Sequence, residues 1–117
     1  MEFSSNMPIY LQVVNDIKQR IAKKEIAPGS RLPAAVEVAM AYQINPNTVQ
    51  RIFKELEQQG ICYTKRGIGT YIVDDEGLAA RLAHELVGGL TRDYLCGMKS
   101  LGFTVEDIIE EIKSAEK

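Results

Sequence analysis

Asn47, Gln50, Arg51, Lys54 and Gln58 crowd into one short stretch of the chain, and Lys65 and Arg66 follow beside Gly67 and Gly69. Amide side chains can pair two-pronged with adenine, a guanidinium can do so with guanine, and an ammonium neutralises phosphate. Two neighbouring cations on a glycine-containing turn suit phosphates or the concentrated negative potential of a narrow minor groove. The chemistry on offer is therefore recognition of a nucleic-acid duplex. For catalysis the chain offers one histidine, His84 beside Glu85, with no glycine-rich phosphate loop, metal-spaced cluster or nucleophile with a base. No catalytic residue, metal ligand or cofactor is expected.

The elements that must position these residues follow from periodicity. Ile9, Val13, Ile17 and Ile21 recur at four-residue spacing behind Pro8, which predicts an amphipathic helix from Pro8 to about Lys24. Ala27-Pro28-Gly29-Ser30 breaks the chain, and Leu32-Pro33 leads into a short alanine-rich helix from Ala34 to Tyr42. Gln43-Ile44 links it to a further helix over about 46–59, with Asn45 as cap, Pro46 in the first turn and Gly60 as stop. Val49, Ile52, Phe53 and Leu56 form its inner stripe, which leaves Asn47, Gln50, Arg51, Lys54 and Gln58 outside. The pair reads as a helix-turn-helix. Ile61–Thr64 and Thr70–Val73 are β-prone runs about a Lys65–Gly69 turn, which predicts a hairpin with a cationic tip. A ribbon directly after a candidate recognition helix is the wing of a winged helix.

The runs Pro28-Gly29-Ser30-Arg31-Leu32-Pro33, Asn45-Pro46-Asn47-Thr48-Val49, Leu56-Glu57-Gln58-Gln59-Gly60-Ile61 and Lys65 to Val73 together resemble the GntR family of regulators, over roughly residues 8–73. The start of the recognition helix and the short tail are similar to the YtrA-type subfamily. The resemblance implies that Asn45, Asn47, Thr48, Gln50 and Arg51 face DNA at the start of the recognition helix. It also implies that Arg66 and Gly67 form a wing tip entering the minor groove, and that the protein represses genes by binding double-stranded operator DNA. One departure is Val36, which stands where the family usually has a DNA-contacting arginine. Arg31 is a candidate to compensate, and Lys54 and Lys65 complete the expected DNA-binding set.

The tail begins at Asp74-Asp75-Glu76, so residues 1–74 are read as the DNA-binding domain and 75–117 as a helical tail. Leu78, Leu82, Leu86, Leu90, Tyr94, Leu95 and Met98 stripe a long helix from about 75 to 100, and Gly102 ends it. Thr104 and Asp107 form a capping-box variant ahead of a helix whose stripe is Val105, Ile108, Ile109 and Ile112. Two helices cannot enclose a core, so a second copy is expected to cover Leu82, Leu86, Leu90, Tyr94, Ile108, Ile109 and Ile112, and the protein is expected to be a homodimer on a palindromic site. The competing arrangement folds the tail back onto its own winged helix. The fold class expected is mainly α with a small β-hairpin wing: a winged helix-turn-helix and a two-helix dimerisation tail.

Charge divides at the same place. Through Val73 nine basic residues face six acidic ones, and from Asp74 onward five face ten, so the net charge of −2 hides a basic front. Cys62 and Cys96 lack metal or redox spacing and read as free, packed thiols of a reducing compartment. No leader pattern and no long apolar run occurs, so a cytoplasmic protein without membrane contact is expected. The stretch names no effector, and a tail this short leaves any ligand to bind between subunits or between tail and winged helix. The rival reading is a winged helix used as a protein-interaction module; that use would not require an amide- and arginine-rich face.

Overall fold

The computed structural model describes residues 1–116. Its elements are α1 (Ile9–Ala22), α2 (Ala35–Tyr42), α3 (Pro46–Gln58), β1 (Cys62–Lys65), β2 (Gly69–Ile72), α4 (Leu78–Ser100) and α5 (Val105–Ala115). The chain divides into two compact units, the first ending at Ala83 and the second beginning at His84. The expected architecture, mainly helical with one antiparallel hairpin, is what forms.

In α1 the four-residue spacing buries Val13, Ile17 and Ile21, with Val14 beside them. The Pro8 carbonyl accepts from the amides of Leu11 and Gln12, so the proline sits just outside the helix and starts it. The helix ends at Ala22, two residues earlier than periodicity predicts. Lys24 turns left-handed at φ +66°, and the Glu25 and Ile26 amides bond back to the Arg20 carbonyl. Asn45 caps α3 by accepting from the Asn47 amide at 2.8 Å, with Pro46 in the first turn and Gly60 at φ +73° after its end. Val49, Ile52 and Leu56 are fully buried beneath it.

Residue pairs Cys62 with Ile72, Tyr63 with Tyr71, Thr64 with Thr70 and Lys65 with Gly69 set the hairpin register. Both strands lie one residue nearer the turn than the sequence suggests. Gly67, at φ +78°, takes the third position of a tight turn closed by the Ile68 amide on the Lys65 carbonyl. A third segment joins β2 from the other side: the Leu32 amide donates to Thr70 at 2.8 Å, the Ile72 amide to Ser30 at 2.9 Å, and Arg31 bridges Tyr71. Nothing local in the sequence announces this pairing.

The core of the first unit joins α1, α2, α3 and the hairpin, and Leu78 and Leu82 at the start of α4 belong to it at 1% and 4% exposure. A truncation meant to spare this unit should therefore fall after Ala83. α4 itself begins three residues later than expected, because the Asp75 carboxylate accepts from the Gly77 amide and from Arg81 and so fixes a turn there. In the second unit Thr104 and Asp107 form the reciprocal capping box, with bonds of 3.1 and 2.9 Å. Cys62 is buried as expected, and burial pushes its thiol up to about 12, whereas Cys96 is exposed rather than packed.

One polar link fixes α2 against α1. The Tyr42 hydroxyl donates to Asp16 Oδ2 at 2.6 Å, and Arg20 Nε donates to the same oxygen at 3.0 Å. Burial alone would raise the Asp16 carboxyl, but the bonds from Tyr42 and Arg20 outweigh it and hold the group below 3.8. Burial, reinforced by the bond to Asp16, pushes Tyr42 up to about 12. The carboxylate's contribution is thus full above its unfolded pKa and lost as pH falls through the depressed value. The hydroxyl's contribution is full below its unfolded pKa and lost as pH rises through about 12. Tyr42→Phe should destabilise the protein by about 1 kcal/mol near neutrality. Denaturant titrations across pH should show the variant and wild type converging in acid below the ordinary aspartate range; a constant gap down to full protonation would remove the bond from this account.

Candidate nucleic-acid interface

The buried stripe of α3 leaves Asn47, Gln50, Arg51, Lys54 and Gln58 exposed along the opposite side. Thr48 is half-buried on one flank, and Asn45 commits its side-chain oxygen to the cap. Gln50 and Lys54 line an open groove whose other walls are the start of α2 at Ala34–Ala35, Arg31, and the wing residues Thr64 and Gly69. Thr64 donates to the Glu57 carboxylate, which ties wing to helix and sets the width of that groove.

On the other flank of α3, the Arg51 guanidinium lies 3.9 Å from the centre of the Tyr10 ring. Stacking of this kind occupies the face of the guanidinium and leaves its in-plane N–H donors free. Arg51 is thereby held out from the helix in a fixed direction. Sequence spacing gave no sign of this contact, since Tyr10 and Arg51 lie on α1 and α3.

The wing departs from expectation at one cation. Lys65 is the last residue of β1 and only opens the turn, and its ammonium sits 4.6 Å over the Tyr71 ring. Tyr71 in turn stacks on Tyr63, with ring centres 5.9 Å apart and planes inclined by 21°. Lys65 is therefore seated on an aromatic pair, and only Arg66 and Gly67 of the expected wing residues occupy the central positions of the turn. Val36 is 60% exposed on α2.

Among the described residues none of Arg31, Arg51, Lys54, Lys65 and Arg66 pairs with a carboxylate; the ion pairs on view involve Arg20, Lys23 and Arg81 instead. Five unneutralised cations thus share the outer side of α3, the wing and the connection before α2. An arrangement of this kind stabilises a polyanion laid across it. No metal-holding group of side chains occurs among the described residues, and no helix is long and apolar enough to cross a membrane.

The tail residues separate into two classes. Leu82 is buried in the core of the first unit, and Ile108 is 2% exposed within the chain, so neither has surface left to give a partner; this corrects their expected place at a dimer interface. Leu86 is half-buried. Leu90, Tyr94, Ile109 and Ile112 are exposed, Leu90 by 70%, as is Val105 of the expected stripe, and three apolar residues that spacing did not mark, Val87, Leu101 and Phe103, are exposed as well. Phe103 and Leu101 flank the glycine that ends α4, and their type at a helix connection was the available signal.

Residues 9–72 match the model of the family described as bacterial regulatory proteins, gntR family. The chain is 43% identical to the HTH-type transcriptional regulator YhcF of Bacillus subtilis (strain 168), with 97% of this chain and 93% of that protein covered. It is 32% identical to the HTH-type transcriptional repressor YtrA of the same organism, over 97% of this chain and 93% of YtrA. Among solved structures, a GntR family transcriptional regulator from Listeria monocytogenes superposes with a TM-score of 0.89 at 34% identity, covering 96% of this chain and 98% of that one.

Proposed function

Because the chain belongs to the GntR family of bacterial regulatory proteins, DNA-binding transcription regulators, we propose that it is a repressor that acts as a homodimer on a palindromic operator. α3 lies in the major groove, with Asn47, Gln50 and Arg51 toward base edges, Thr48 and Lys54 toward phosphates, and Asn45 fixing the start of the helix. The wing reaches the adjacent minor groove through Arg66 and Gly67, with Lys65 and Arg31 behind them. The observation that carries this reading is that the five cations of α3, the wing and the connection before α2 all stand without a carboxylate partner among the described residues.

Dimerisation belongs to the same proposal. Leu90, Tyr94, Ile109 and Ile112, with Leu101, Phe103 and Val105, form the apolar surface that a second copy covers by a two-fold contact. Repression is favoured by the similarity to YtrA, an HTH-type transcriptional repressor.

Selection of bound duplexes from a random pool tests the reading directly: a palindromic consensus is expected, bound with an affinity that falls steeply with salt. Enrichment of no sequence at any ionic strength would move the chain toward a protein-interaction role. The wing is tested separately by Lys65→Ala with Arg66→Ala. Since Lys65 gives up a contact with Tyr71, the melting point should fall slightly, by an amount corresponding to about 0.5 kcal/mol. Binding should weaken more on operators with A·T-rich flanks than on those with G·C flanks at matched salt. Equal affinity of mutant and wild type on both would exclude the wing from the DNA.

A further inference from the structure

Gly69 opens β2 at φ +155°, a conformation that side chains rarely adopt, so the backbone already favours glycine there; what stands beside it is a separate observation. A methyl group built on Gly69 would lie 2.6 Å from Arg31 Nε and 3.2 Å from both Cζ and Nη2. The guanidinium therefore occupies the space that a side chain at position 69 would take. Arg31 reaches this position from outside the hairpin: its backbone bridges Tyr71, and the bonds of Ser30 and Leu32 to β2 hold it there. Bridged residues present their side chains on the same face of a sheet, and residues two apart along a strand do so as well. Arg31, Tyr71 and Gly69 thus share one face, together with Lys65, which pairs with Gly69 and lies over Tyr71.

We propose that Arg31 is a third cation of the wing, borrowed from the connection between α1 and α2, and that Gly69 is the positioning residue that seats it. Arg31 and Lys65 then flank one short stretch of β2 next to the turn that carries Arg66, and together they grip the sugar–phosphate backbone bordering the minor groove. Two features select phosphate as the ligand. Neither cation meets a carboxylate among the described residues. Lys65 is also seated over an aromatic ring before any ligand arrives, which removes ordering cost from binding, and the bare glycine leaves the Arg31 guanidinium room beside it. The inference rests on the DNA-binding reading above and adds to it a residue with no contact of its own to DNA.

The test uses the full-length protein and the operator recovered by selection. Arg31→Met keeps the aliphatic stem and removes the charge; it should weaken binding about tenfold near 0.1 M salt and reduce the salt slope by about one. Gly69→Ala should lose at least as much, by displacing the guanidinium and by straining the backbone at φ +155°. In the Arg31→Met background, where no guanidinium remains to displace, only the backbone strain of alanine at φ +155° is left, so Gly69→Ala should cost several-fold less than in the wild type. An equal loss from Gly69→Ala in both backgrounds would mean that the glycine acts through the wing backbone, and the seating would be wrong. Arg31→Met with unchanged affinity and slope would overturn the clamp even if Gly69→Ala fails to fold. Failure of the wild-type protein to bind any duplex would instead sink the DNA-binding reading, so the two failures are distinguishable.

Discussion

Replacing Ile109 with aspartate is expected to turn the proposed dimer into monomers and to weaken operator binding by two orders of magnitude or more. Ile109 is 45% exposed in the single chain, so the substitution should leave the monomer's circular dichroism and melting almost unchanged. In a two-fold interface each substitution occurs twice, and an unpaired carboxylate buried among Leu90, Tyr94 and Ile112 costs about 3–5 kcal/mol. That corresponds to a loss of 10²-fold or more in dimer stability. A monomer reads one half-site and forfeits the other, so the loss reappears in DNA affinity. Ile108→Asp is the contrasting variant. Ile108 is buried within the chain itself, so its substitution should damage the folding of the helix pair before any effect on association. Sedimentation velocity on both proteins separates the cases. An Ile109→Asp protein that sediments as a dimer at wild-type concentrations would place the interface elsewhere.

The tail shows why a stripe is not yet an interface. Leu78, Leu82, Leu86 and Leu90 are equivalent by spacing, and periodicity assigns all four to one face. The fold divides them: Leu78 and Leu82 complete the core of the first unit, Leu86 is half-buried and Leu90 is exposed. Which surface a stripe covers is a tertiary matter that spacing cannot carry. Helix boundaries were legible around α3, set by Asn45, Pro46 and Gly60, and before α5, set by the Thr104–Asp107 box, but not at the start of α4, where the Asp75 carboxylate fixes a turn. They were not legible at the end of α1, where a lysine rather than a glycine takes the left-handed conformation. The candidate site divides similarly. The outward residues of α3 followed from its buried stripe alone. The rests that hold the cations, Tyr10 under Arg51, Tyr71 under Lys65 and Gly69 beside Arg31, join residues brought together only by the fold.

Those rests sharpen what the recognition helix should do. Gln50→Ala and Arg51→Ala are each expected to erase preference at particular base pairs of the operator and to cost about 1–3 kcal/mol on the best site. The two changes should affect different positions, because Gln50 lines the groove toward the wing whereas Arg51 leans toward α1 and Tyr10. Lys54 shares the groove with Gln50 but carries a compact charge without a planar fork. Lys54→Ala should therefore weaken binding to all sequences alike and lower the salt slope by about one. The stacking contact supplies an internal control for Arg51. Tyr10→Phe keeps the ring and should retain the preference, while Tyr10→Ala frees the guanidinium and should blur that same position, with no effect at the positions read by Gln50. Binding measured across a library of single-base operator variants gives each pattern. If Gln50→Ala, Arg51→Ala and Lys54→Ala all scaled the library uniformly, α3 would be gripping backbone alone, and sequence would have to be read elsewhere on the chain. If Tyr10→Ala blurred every position equally, the ring would be supporting the fold rather than Arg51.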